Sequence, residues 1–234
     1  THRLIASVLE EAGLGEGVVN VITHDARDAA AVSEALIGHP AVRRVNFTGS
    51  SRVGKIVAQT GARYLKPVLL ELGGKAPLIV LEDADIDAAV SATVFGAFAN
   101  SGQICMSTER VVVHEKVADE FAAKLARRVA GLPTGDPRQG EVVVGSVVGR
   151  PTVEHVEKLV AAAVAQGAKV LAGGEKSSNT LMKAVVVDHV TPQMALFREE
   201  TFGPHVSIIR VKSADEAVAV ANDTEYGLSS AIFT

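Results

Sequence analysis

A single cysteine among 234 residues excludes an internal disulfide, and a reducing cytoplasm is the simplest setting for such a chain. Long apolar runs are missing as well. Stretches such as 161–165 and 217–221 fall far short of the roughly 20 residues that cross a bilayer, so no membrane span is expected. The start, Thr1-His2-Arg3-Leu4, shows no basic segment followed by an apolar run, and no secretory signal is expected. Charge of one sign is scarce: the net charge is −4 and no basic cluster stands out, which argues against nucleic acid as a partner. The seven histidines lack the H-x-x-x-H spacing of a metal site, and none is expected.

Apolar residues make up 47% and charged residues 21%, with 21 glycines scattered without period, the composition of a globular protein. The length suits one large domain or two modest ones. Apolar spacing switches repeatedly between period two and period 3.6, which predicts an α/β protein. Helices are predicted over 4–12, 25–36, 53–62, 85–100, 117–130, 153–166 and 213–222. Strands are predicted over 17–23, 42–47, 67–72, 76–81, 111–114, 169–171, 184–187, 206–211 and 229–233. Asp85 is a plausible N-cap, and Ser213 with Glu216 reads as a capping box. The segment 131–151 is a long Gly- and Pro-containing connection. A domain boundary is placed near residue 73, where Gly73-Gly74 can act as a hinge. The last strand ends at Phe233-Thr234 with an edge that calls for a partner.

Four segments carry candidate chemistry. Gly49-Ser50-Ser51-Arg52-Val53-Gly54-Lys55 follows a strand and opens a helix, where backbone N–H groups and the helix dipole can hold a phosphate. It satisfies G-x-x-x-x-G-K, yet Ile56 stands where a nucleoside triphosphatase needs Ser or Thr for magnesium, and an ordinary glycine-rich turn is the plainer reading. Glu71 lies within Val68-Leu69-Leu70-Glu71-Leu72. Burial there would raise its pKa toward that of a general base, whereas strand alternation would turn it to solvent. Cys105, in Gly102-Gln103-Ile104-Cys105-Met106-Ser107, is either a small buried hydrophobe or a nucleophile that its small polar neighbours leave accessible. Glu199-Glu200-Thr201-Phe202-Gly203-Pro204 offers carboxylates for ribose hydroxyls and a ring for a flat heterocycle, or is simply a solvated acidic turn.

In order and spacing these segments resemble the aldehyde dehydrogenase superfamily across nearly the whole chain. Phe47-Thr48-Gly49-Ser50 with Val53-Gly54 is similar to its cofactor turn, and Leu70-Glu71-Leu72-Gly73-Gly74-Lys75 to the segment bearing its general base. Gly102-Gln103-Ile104-Cys105 is similar to its nucleophile segment, and 199–204 to its later cofactor motif, with Thr201 where isoleucine is common. Residues 221–228, Ala-Asn-Asp-Thr-Glu-Tyr-Gly-Leu, add a further family-like stretch.

The resemblance implies a partial doubly wound cofactor-binding domain over 1–73, followed by an α/β catalytic domain over 74–234 that is incomplete at its carboxyl-terminal end. It implies NAD or NADP as cofactor and a small-molecule aldehyde as substrate. The Cys105 thiolate would attack the aldehyde, and Glu71 would activate the water that hydrolyses the resulting thioester. Thr48, Gly49, Ser50, Val53, Leu72 and Gly73 would line the cofactor path, Glu200 would bind the nicotinamide ribose, and Phe202 would pack near the ring. The Cys105 N–H would supply one oxyanion donor. The family's second donor, an upstream asparagine, has no counterpart among these residues, nor do its adenine-ribose lysine and the arms that build its homo-oligomers. A piece of a longer product and a truncated form are both compatible with this, and a cofactor-independent thiol esterase or an inactive remnant are the alternative readings. Ile104-Cys105-Met106-Ser107-Thr108-Glu109-Arg110 is most similar to members acting on salicylaldehyde, vanillin or benzaldehyde, which implies an aromatic aldehyde.

Overall fold

The computed structural model describes residues 2–175 and 178–234; Thr1, the first residue of the expected amino-terminal domain, lies outside the described residues. The chain divides into two compact units, Thr1–Leu72 and Gly73–Thr234.

The first unit holds helix α1 (His2–Glu11), a 3-10 turn at Ala26–Asp28 that leads into α2 (Ala29–Gly38), strand β1 (Val45–Thr48), α3 (Ser51–Arg63) and β2 (Val68–Glu71). β1 and β2 pair in parallel, from Val45 opposite Val68 to Thr48 opposite Glu71. Parallel neighbours need a crossover, and α3 supplies it, so residues 45–71 form a βαβ unit. Ser50 caps α3, its Oγ accepting from the Val53 N–H at 3.3 Å. Gly54 lets α3 close on the end of β2, because a Cβ there would stand 2.6 Å from Leu72 Cδ2.

One expectation fails in this unit. The β-branched run 17–23 forms no strand, and Val18, Val21 and Ile22 are exposed. Strand propensity expresses packing against a neighbouring strand more than a backbone preference. Among the described residues no strand pairs with this run, and Gly17 enters it at φ +77.

The second unit is built on a six-stranded sheet in the order β5-β6-β7-β4-β3-β8, comprising β3 (Ala76–Val80), β4 (Thr108–His114), β5 (Lys169–Ala172), β6 (Val185–Asp188), β7 (His205–Val211) and β8 (Ala231–Phe233). Every pairing is parallel except that of β5 with β6. β4 is buried at all seven positions, as expected of a central strand covered on both faces. Val111 and Val113 point into a core with α4 (Ile86–Phe98) and α5 (Glu115–Ala130), while Val112 packs with Ala217 of α8 (Ala214–Asn222). A further core gathers α6 (Arg150–Ala165), the short α7 (Ala195–Arg198) and the β6–β7 face.

Both expected caps form. Asp85 accepts from Ala88 N at 3.0 Å and Ser213 Oγ from Glu216 N at 3.1 Å. The capping box is displaced by one residue, because Glu216 accepts from the N–H of Lys212 rather than that of Ser213. No helix among the described residues is long and apolar enough to cross a membrane.

Candidate active site

In the first unit the candidate cofactor residues converge at the carboxyl ends of two parallel strands, the position at which open α/β sheets bind ligands. Thr48 ends β1 directly beside Glu71 at the end of β2, and the Gly49 N–H donates to the Glu71 carbonyl at 3.0 Å. Thr48 and Ser50 are exposed, and the 13-residue α3 begins at Ser51. Hydroxyls beside a helix N-terminus fit the phosphates of a dinucleotide. Glu71 is exposed, in step with the burial alternation of its strand. Its run therefore does not bury the carboxylate: of the two orientations that the sequence allowed, the side chain takes the outward one, in keeping with β pleating.

In the second unit the thiol is held by a tight, strained loop. After α4 the backbone turns through three successive left-handed residues: Asn100 at φ 50, Ser101 at φ 58 and Gly102 at φ 72. Each non-glycine residue in that region costs roughly 1–3 kcal/mol and persists only where its surroundings hold it. Ser101 Oγ accepts from Gly145 N at 3.0 Å, Gln103 Oε1 accepts from Val148 N at 2.7 Å, and Ser107 Oγ donates to the Gly102 carbonyl at 3.2 Å. Gly102 has no substitute, since a Cβ would meet the Gly203 carbonyl oxygen at 2.2 Å. Ser107 N donates to Ile104 O at 2.9 Å, closing a turn that carries Cys105 half-buried and Met106 exposed.

Three segments far apart in sequence meet beside this loop. A Cβ on Gly74 would stand 2.5 Å from the Cys105 carbonyl oxygen, and one on Gly73 would stand 2.2 Å from Glu200 Oε2. The Gly74 N–H donates to Glu200 Oε1 at 2.9 Å. The diglycine is thus the strip of backbone over which both the cysteine turn and the Glu200 carboxylate lie. Half-burial raises the Glu200 pKa, against the Gly74 N–H bond, which lowers it. Phe202 sits in a turn at φ 46 with its side chain partly exposed. Glu71 and Cys105 belong to different units. A cavity of about 550 Å³ along β3, α8 and β8 reaches the site at Gly74 and Lys75.

Beneath the site lies a charged network whose function sequence reasoning missed. Lys75 and Glu109 are buried and pair at 2.5 Å. Glu109 also accepts from the N–H groups of Thr201, at 2.9 and 3.0 Å, and Phe202, at 3.1 Å. Burial pulls the Lys75 ammonium below the usual lysine range, against the charge of Glu109. Arg110, fully buried, donates to the carbonyls of Lys75, Val220 and Ala221 and lies over the Phe197 ring. The available signal was the adjacent pair Glu109-Arg110 running directly into Val111-Val112-Val113, since charges at the mouth of a buried strand require partners. Among the described residues no group of three or more His, Cys, Asp and Glu side chains could hold a metal ion.

His205, with no exposed surface, lies 3.0 Å from Ser207 Oγ, and burial, then Lys75, holds its pKa well below 6.5. A histidine kept neutral in the fold contributes stability that is complete above the unfolded value and is lost as pH falls toward the folded one. Urea unfolding is therefore expected to show stability falling by about 1.4 kcal/mol per pH unit below about pH 6.5 from this group. A folded His205→Gln variant should lose that component of the slope; an unchanged slope would show that His205 does not carry it.

The fold and site together define an α/β protein with a βαβ unit in one compact unit and a loop-borne thiol in the other. The chain belongs to the aldehyde dehydrogenase family, whose model matches residues 1–234. That family works with NAD(P). The chain is 53% identical over 234 residues to the vanillin dehydrogenase of a Pseudomonas strain and 50% identical over 234 residues to the salicylaldehyde dehydrogenase of Pseudomonas putida, covering 100% of this chain and 48% of each relative. The crystal structure of a salicylaldehyde dehydrogenase from Pseudomonas putida G7, complexed with salicylaldehyde, superposes with a TM-score of 0.96 at 48% identity, over 99% of this chain and 48% of that one. The chain spans about half the length of the curated relatives it matches.

Proposed function

We propose that this chain carries the catalytic half of an NAD(P)-dependent oxidation of an aromatic aldehyde to its carboxylic acid. The observation that carries the reading is the meeting of Gly73-Gly74, the Cys105 turn and the Glu200 carboxylate, three segments that the fold brings together from distant parts of the sequence.

The Cys105 thiolate adds to the aldehyde carbonyl, and the Cys105 N–H stabilises the oxyanion of the thiohemiacetal. A bound NAD(P)+ would supply the hydride acceptor that the conversion of this thiohemiacetal to a thioester needs. Glu71 then takes a proton from water, which attacks the thioester and releases the acid and the thiol. Thr48, Gly49, Ser50 and Val53 would hold the pyrophosphate at the start of α3, with Leu72 and Gly73 along the same path. Glu200 would bind the nicotinamide ribose and Phe202 would pack near the ring. A thiolate with no disulfide partner works in reducing surroundings, and the cytoplasm is the compartment assigned.

The similarity to vanillin and salicylaldehyde dehydrogenases supports the aromatic substrate class. The test is absorbance of reduced nicotinamide with salicylaldehyde, vanillin and benzaldehyde on the purified polypeptide, comparing NAD with NADP. A Cys105-dependent rise is expected. Ester hydrolysis insensitive to NAD(P), with no aldehyde oxidation, would replace this reading with that of a thiol esterase.

A further inference from the structure

Glu109 holds no position in the proposed chemistry, yet its carboxylate is the common anchor of two parts of the site. Its Oε2 takes the Lys75 ammonium at 2.5 Å and the Thr201 N–H at 2.9 Å, while Oε1 takes the N–H groups of Thr201 at 3.0 Å and Phe202 at 3.1 Å. Thr201 and Phe202 directly follow Glu200, and Lys75 directly follows the diglycine on which Glu200 rests. Phe202 has a left-handed backbone that a phenylalanine does not adopt without support, and the carboxylate receives its N–H. Glu109 itself is fixed at the second position of the buried strand β4.

We propose that Glu109 is a positioning residue: it clamps the Thr201–Phe202 turn to the Gly73–Lys75 segment and so sets Glu200 and Phe202 in place for the nicotinamide half of the cofactor. This rests on the reading of Glu200 and Phe202 as cofactor contacts. The bond pattern makes the anchor specific to an acceptor. Four donor contacts converge on the carboxylate, and an amide in its place must turn its NH2 toward either Lys75 or the backbone N–H groups.

The test compares two double variants, each without the buried cation so that neither leaves Lys75 unpaired: Lys75→Met with Glu109→Leu, and Lys75→Met with Glu109→Gln. Leucine removes every acceptor, whereas the glutamine oxygen, freed of the ammonium, can still receive the Thr201 and Phe202 N–H groups. Amide hydrogen exchange over residues 199–204 is expected to speed at least about tenfold in the leucine form, and NAD(P)H affinity by fluorescence to fall by a similar factor. In the glutamine form exchange should stay near wild type, and protection of β7 should persist in both.

Wild-type protection of the turn in the leucine form would overturn the clamp. A loosened turn with unchanged NAD(P)H affinity would overturn its role toward the cofactor. A wild-type chain that binds no NAD(P)H would instead sink the dehydrogenase reading, and the exchange comparison, which needs no cofactor, would still decide whether Glu109 holds the turn.

Discussion

If Cys105 is the nucleophile proposed above, replacing it with alanine is expected to lower aldehyde-dependent formation of NAD(P)H by on the order of 10⁴-fold or more, because a group that forms the covalent intermediate has no substitute within the site. Cys105 is the chain's one thiol, so no neighbouring cysteine can take over. The loop makes the experiment clean: Cys105 is half-buried, and its turn is closed by backbone bonds and by Ser107, so alanine removes the sulfur without disturbing a packed core. Circular dichroism and the unfolding midpoint should stay at wild-type values while activity disappears. Glu71→Gln makes the companion case. If Glu71 acts only on water, a stoichiometric first-turnover burst of NAD(P)H survives while steady turnover falls by about 10²–10⁴-fold. Loss of the burst as well would place Glu71 before thioester formation, and full activity of Cys105→Ala would remove the cysteine from the mechanism.

Much of this architecture was legible because period and punctuation agreed. The alternation of β1, α3 and β2 was readable from 42–72, and the Gly49–Gly54 turn fell where a strand feeds a helix. The run Val111-Val112-Val113 announced a strand buried on both faces. What could not be read was whatever depends on a distant partner. The run 17–23 has strand composition but, among the described residues, no strand beside it, and composition cannot supply a neighbour. β4 begins at Thr108, three residues before the apolar run, because Glu109 and Arg110 belong inside the sheet when Lys75, Thr201 and the end of α8 complete their bonds. The same limit applied to Glu71. Alternation allowed both orientations, and in the one that resulted Val68 and Leu70 are the half-buried members of β2 while Leu69 and Glu71 are exposed.

Arg110 carries the second large effect, on stability. Its guanidinium donates to the carbonyls of Lys75 at 2.9 Å, Val220 at 3.0 Å and Ala221 at 2.8 Å, and it stacks 5.0 Å from the centre of the Phe197 ring. Burial lowers its pKa to about 10, so the group stays charged at neutral pH, with Asp223 the largest opposing influence. Two terms compete in Arg110→Met. Removing a desolvated cation is favourable and can by itself make such an exchange neutral. Against it, three carbonyls of the Lys75 and Val220–Ala221 segments lose their donor, at about 1–3 kcal/mol for each one left without a replacement. The second term wins because the acceptors are backbone and cannot be exchanged for apolar groups along with the arginine. A net loss of about 3 kcal/mol is expected, a large share of the roughly 5–15 kcal/mol that holds a domain folded, read as a lower urea midpoint with unchanged slope. Arg110→Lys should recover less than half, since a point-like ammonium cannot span acceptors that a planar fork reaches together. Since Lys75 follows the diglycine that underlies Cys105 and Glu200, the same variant should lose activity at urea concentrations well below its unfolding transition. A shift under about 1 kcal/mol would mean that water replaces the guanidinium, and that the charge in β4 serves something other than tying the end of α8 to the site.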